Sequence, residues 1–311
     1  MAELTTGGED HVPNRHRRSR RLTREPGGSR VGGTRGAASR TSAEGHVRPG
    51  AHVPVRRPDS AAGPRRLPAL GRADDRESAD AIRLRHPGIE VVTEHPTGTA
   101  ADVLCEAAGF AELLVLGSRG LGRLTGFMVG SVSLGVVARA ERPVVLVRAA
   151  EQAADEHEPD PAGVPSAATP FRPVVLGLDI DHPDDTLLDF AFDAAARRKA
   201  PLRTVHAWPE PPPSFYGLSG GAELHDRLER EQASLLSQVL HRWRQKFPDV
   251  EVIEASRCGN AAQVLVNDAR DASLVVVGRR IRSGALGAHI GHVTHSAMHH
   301  IAAPVAVVAH T

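Results

Sequence analysis

Apolar and polar positions alternate in two registers along this chain, and the registers divide it. From residue 173 the order is regular. Val174-Val175-Leu176-Gly177-Leu178 reads as a strand ending at Asp179, and Asp184 to Lys199 as a helix with Leu187, Leu188, Phe190, Ala191 and Ala194 on its buried stripe. Leu202 to Ala207 is the next strand, then a loop from Pro209 to Gly221 and a long helix from about Ala222 to Lys246. Strand 250–253, helix 261–269, strand 274–277, helix 293–301 and strand 305–308 complete the half. Strands alternating with helices predict a parallel sheet covered on both faces.

The preceding stretch carries a shorter version of the same pattern. A helix end from about Arg76 stops at His86-Pro87-Gly88, and Ile89-Glu90-Val91-Val92 reads as a strand. Thr99 to Gly109 is helical. Leu113-Leu114-Val115-Leu116 reads as a fully buried strand running into Gly117, followed by a glycine-rich loop, a helix over 131–140 and strand 144–147. Residues 149–172, rich in Glu, Asp, Ala and Pro, read as a linker. Upstream, residues 1–72 show no sustained period of 2 or 3.6 and are dominated by Gly, Pro, Ser, Thr and Arg. That stretch buries too little apolar surface to offset its ordering entropy and is expected to be disordered.

A single offset of 161 positions relates Gly98 to Gly259, Val103 to Val264, Gly117 to Gly278, Gly130 to Gly291 and Pro143 to Pro304 without a gap. This is an internal duplication. At the same offset, the first strand, helix and second strand of the later copy map onto about 12–46, where the apolar pattern is absent. Spacing kept with hydrophobicity erased is what a displaced reading frame over 1–72 would give. A genuine basic tail for nucleic acid or acidic partners is the other reading, though it lacks interleaved aromatics. An incomplete first copy, missing two central strands, should be marginal alone and lean on the second.

Charge sharpens the division. The formal net charge of +1 hides 15 arginines against 6 acidic residues in 1–72, about +9, which leaves about −8 for the rest. Two cysteines in 311 residues are too few for a disulfide framework, and no apolar run approaches a membrane span. The expectation is a cytoplasmic protein without membrane contact.

The candidate chemistry lies in the loop after the fourth strand. Gly117 and Gly120 precede a nine-residue stretch ending at Gly130-Ser131. The first glycines are expected to allow positive φ and close backbone approach. Gly130 opens a helix whose free N–H groups favour phosphate, and Ser131 and Ser133 add hydroxyls. The loop has neither the Gly-Lys-Ser/Thr ending of a Walker A sequence nor the position of a Rossmann fingerprint.

Gly-x2-Gly-x9-Gly-Ser in this place, closed by Pro143-Val144-Val145-Leu146-Val147, resembles the universal stress protein family in its tandem form, over 73–148 and 172–311. The resemblance implies two doubly wound α/β units of strand order 3-2-1-4-5, the first incomplete. It implies an adenine nucleotide such as ATP between an acid after strand one and the glycine loop, and closing strands that pair domains or form a homodimer. Carried over residue by residue, the first unit keeps Gly117, Gly120, Gly130 and Ser131 but lacks the acid. The second keeps Asp179, Gly278 and Gly291, with Ile281 at the second glycine position and His292 at the serine position, Thr294 nearby. Arg279, Arg280 and Arg282 are either phosphate ligands or a solvated loop. The histidines at 289, 292, 295, 299 and 300 suit helix packing better than a metal, and Asp179 with Asp181 suits a turn better than a magnesium site. No catalytic constellation is visible. The function expected is a non-enzymatic, nucleotide-responsive stress regulator, or alternatively a structural pairing module whose nucleotide sites have decayed.

Overall fold

The computed structural model describes residues 70–117, 129–148, 152–210, 221–281 and 289–311, all within one compact unit. The stretch expected to be disordered lies almost wholly outside these residues, as do Gly120, Arg282 and most of the first glycine loop.

The later half contains β3 (Val174–Gly177), α4 (Asp185–Arg198), β4 (Leu202–Trp208), α5 (Gly221–Lys246), β5 (Val252–Cys258), α6 (Ala261–Asp268), β6 (Leu274–Arg280), α7 (His292–His300) and β7 (Val305–His310). Its strands lie side by side as β5-β4-β3-β6-β7, all parallel, which numbered within the unit is 3-2-1-4-5. The period of two is visible in the packing. Val174 and Leu176 face Leu188, Phe192, Leu236 and Trp243 of α4 and α5, whereas Val175 faces the layer of Leu265 and Met298 of α6 and α7. Two-sided burial is why β3, β6 and β7 read as continuous apolar runs.

Local chemistry sets the helix ends. Asp184 caps α4 by accepting from the Thr186 and Leu187 amides at 2.8 and 3.3 Å, and Lys199 closes it in the left-handed region at φ 51°. Arg242 and Lys246 of α5 reach Asp185 and Asp189 of α4, over a stack of Phe192, Trp243 and Phe247.

The earlier half contains α1 (Leu70–Arg85), α2 (Ala100–Gly109), β1 (Leu114–Gly117), α3 (Ser131–Arg139) and β2 (Val144–Val147). The duplication is written into its backbone. Gly98 and Gly259 have φ of 144° and 142°, and a Cβ on either would stand 3.0 or 3.3 Å from a Cγ2 of Val103 or Val264 respectively. Only glycine takes that conformation comfortably. The Leu114 amide donates to Pro143 at 3.0 Å, as Val275 does to Pro304 at 2.9 Å.

β2 joins the halves. It runs parallel to β1 and antiparallel to β7, pairing Val144 with Val307, Val145 with Ala306 and Leu146 with Val305, so the described strands form one seven-stranded sheet. One apolar layer crosses the seam. Leu116, Val136, Val137 and Val144 share a cluster with Val305, Val307, Met298 and Ile301. The earlier half thus leans on the later one through both main chain and core.

Two sequence expectations are corrected. Ile89–Val92 is not a strand: β4, the neighbour of its counterpart β5, has no described equivalent in the earlier half, and a lone strand has no ladder to satisfy its amides. Arg83 instead donates to the Val91 carbonyl at 2.6 Å. The 113–116 stretch is not fully buried. Leu113 and Val115 are 39% and 57% exposed, whereas their counterparts Leu274 and Val276 are 3% and 0% exposed beneath α4 and α5. The linker carries local structure. A short 3-10 turn, Ala153–Glu156, leads into bridges between His157 and Phe171 and between Pro159 and Pro165, and Glu156 pairs with Arg198 at the end of α4.

Ile301→Ala, within the shared layer, should lower stability by about 2–5 kcal/mol. It should also reduce hydrogen-exchange protection of the Val144–Leu146 amides across the seam, in one cooperative transition. Unchanged protection there would mean that the halves have separate cores.

Candidate functional site

The strand order of the later half reverses at β3 and β6, and the crevice beyond their carboxyl ends is where open α/β sheets bind ligands. A cavity of about 520 Å³ lies there. Leu178, Val205, Leu265, Val277 and Val293 give it apolar surface. Asp179, His206, Gln232, Arg280, His289 and His292 give it polar surface.

Each wall has a local cause. Asp179 directly follows β3, and its carboxylate accepts from the Asp181 amide at 3.1 Å and stands 3.2 Å from Nδ1 of His182. The Asp179–Asp181 pair therefore forms a side-chain-closed turn. His206, buried on β4, stands between the Leu178 carbonyl at 3.3 Å and Gln232 Oε1 at 3.0 Å. Gly291, the N-cap of α7, has φ −61° and ψ 155° and offers no side-chain cap, so the first turn keeps donors toward the crevice. Thr294 lines the crevice, but its hydroxyl donates to the Gly278 carbonyl at 2.7 Å and pins that turn to β6.

The glycine loop departs from expectation at its first position. Neither Gly117 nor Gly278 has a positive φ. Both end or continue a strand, and β6 runs two residues past Gly278, pairing Arg280 with His310. The Ile281 amide then donates to the His310 carbonyl at 2.6 Å. Glycine at 278 is favoured by packing: a Cβ there would stand 2.7 Å from Nε2 and 2.9 Å from Cδ2 of His310, which would have to move. His310, 3.8 Å from Asp184, was invisible to loop-centred sequence reasoning because it arrives from the last strand.

Arg279 is neither a phosphate ligand nor solvated. It is 5% exposed and donates to the Ala140 carbonyl at the end of α3. Burial lowers its affinity for its proton, partly opposed by Glu141, and the carboxyl end of α3 suits a cation. Arg280 lines the crevice.

In the earlier half, Gly117 ends β1, Gly130 is the uncapped N-cap of α3 with φ −66° and ψ 156°, and Ser131 and Ser133 occupy its first turn. This half-cradle repeats the later one. The opposite wall, supplied later by Leu178, Asp179, Leu187 and His206, has no described counterpart. Among the described residues no group of three His, Cys, Asp or Glu side chains could hold a metal. His295 and His299 pack ring to ring with centroids 4.4 Å apart.

The sequence profile of the universal stress protein family matches residues 38–148 and 170–309. A universal stress protein of Mycobacterium bovis is 34% identical over 211 residues, covering 68% of this chain and 62% of its own length. One of Mycolicibacterium smegmatis is 31% identical over 236 residues, covering 74% of this chain and 72% of its own length. The crystal structure of a universal stress protein of Pseudomonas aeruginosa superposes with a TM-score of 0.53 at 17% identity, covering 79% of this chain and 80% of that one, a shared fold.

Gly278→Ala should cost about 1–3 kcal/mol by forcing His310 aside. Gly117→Ala, where a Cβ meets nothing within 4 Å, should stay within about 0.5 kcal/mol. Denaturant midpoints of the two variants check the contrast.

Proposed function

The chain belongs to the universal stress protein family, and from that premise we propose that it is a non-enzymatic, cytoplasmic regulator of stress physiology that holds an adenine nucleotide in the crevice of its second unit. The supporting observation is the cavity of about 520 Å³ at the β3–β6 switch point, walled on one side by an uncapped helix start. A nucleotide needs an apolar slot for a base and donors for an anion. Leu178, Val205, Leu265 and Val277 supply the first, and the α7 amides with Arg280, His289 and His292 supply the second. Asp179, Gly278 and Gly291 belong to the site as acid, packing glycine and helix opener. The same residues would take ATP or a shorter adenine nucleotide.

The reading assigns no reaction to the site. Asp179 is turned toward the Asp181 amide and His182, His206 lies between Leu178 and Gln232, and Thr294 donates to the backbone, so the polar side chains hold one another in place. Gly117, Gly130, Ser131 and Ser133, with Gly120 outside the described residues, keep the family pattern in the first unit and would serve a ligand only with a wall supplied from elsewhere. Among the described residues no helix is long and apolar enough to cross a membrane.

One observation favours a structural pairing module with decayed sites as the second reading. β6 runs straight through positions where the family pattern turns, with Ile281 bonded to His310.

Equilibrium titration with a fluorescent adenine nucleotide separates the two. Binding is expected, weakened about tenfold or more by His292→Asp. That change places a carboxylate beside the anion while favouring the α7 dipole, so folding is retained. Asp179→Ala should also weaken binding. No saturable binding up to millimolar nucleotide would establish the pairing module instead, and equal affinity in His292→Asp would overturn the assignment of the nucleotide to this crevice.

A further inference from the structure

Both closing strands are consumed inside the chain: β2 lies between β1 and β7, and β7 between β2 and β6. A homodimer through closing strands therefore has no free edge to use. The sheet ends instead on β5 and β1, and the two ends differ in chemistry. β5 carries Glu254 and Arg257, paired with Arg244 at 2.8 Å and Asp268 at 3.9 Å, the charged kind of edge that resists strand addition. β1, Leu114-Val115-Leu116-Gly117, carries no charge.

We propose that a second copy of this chain docks on the outer edge of β1, the two β1 strands pairing antiparallel about a two-fold axis at Val115. Backbone direction supports it. The Leu114 amide donates to Pro143 on the β2 side, so by strand alternation Val115 and its neighbours two residues away, Leu113 and Gly117, aim their backbone groups outward. In the later half the same side of β6 is taken by β3, with Val276 opposite Leu176. Among the described residues no strand takes that place beside β1.

The sequence at the corresponding upstream position is not that of an apolar strand. At the repeat offset, Val174–Gly177 maps to Pro13-Asn14-Arg15-His16, which has no apolar residue but proline. Among the described strands, β1 is itself an uncharged apolar strand that fits an uncharged edge. Self-pairing is complementary: Val115 faces Val115 of the other copy, each amide donating to the other's carbonyl, and Leu113 faces Gly117. The pairing also sets the Val115 side chain, 57% exposed in the single chain, beside its counterpart.

Sedimentation of the full chain at tens of micromolar should show a dimer. Val115→Lys should raise its dissociation constant about tenfold or more, and so should Val115→Pro, which removes an amide that β2 does not use. Val115→Cys, in a chain also carrying Cys105→Ser and Cys258→Ser, should form an interchain disulfide on mild oxidation, because directly opposed residues of such a pair lie about 5.5 Å apart at Cα. A monomeric unaltered chain would overturn the proposal. So would a dimer indifferent to Val115→Lys and not captured by Val115→Cys.

Discussion

Everything in the earlier half rests on three residue pairs, Val144 with Val307, Val145 with Ala306 and Leu146 with Val305. A parallel unit stripped of its central strands cannot enclose a core, and α2, α3, β1 and β2 do not try to. Through the antiparallel seam they borrow β7 as a neighbour and the α7 layer as a floor, so Val136 and Val137 are buried although their own unit is incomplete. Arg279 adds a cation from β6 to the carboxyl end of α3. Removing the seam would leave a four-residue β2 paired on one side only.

The fold was legible in the sequence where short-range pattern dictates it. The later half's strands and helices follow from apolar runs, from the cap at Asp184 and from alternation between two helical layers. The repeat offset pairs Gly98 with Gly259, and their φ angles agree within two degrees. What could not be read depends on neighbours that the early chain lacks. Ile89–Val92 has the composition of a strand and no ladder to join, and Val115 has the sequence of a core residue without the helices that would cover it.

The site was legible in its ends and not in its middle. Helix openers Gly130 and Gly291 and the acid Asp179 stand where the motif places them, because each follows from a local rule about strand ends or uncapped helix starts. The glycine at 278 was credited to the wrong cause. Its lack of a side chain answers to an imidazole 32 residues away in sequence, and no spacing rule connects the two. Arg279 was misplaced for the same reason, since its partner Ala140 belongs to the other unit.

The reversed direction of β2 against β7 carries a topological corollary. Strand-to-helix turns follow carboxyl ends, so the turn after β1 and the turn after β6 emerge at opposite rims of one continuous sheet. The carboxyl ends of β1 and β6 therefore face away from each other along the strand direction. Coupling between the two strand ends can pass through the rows of valine that weld the units together, with the shared helical layer and the Arg279 bond beside them.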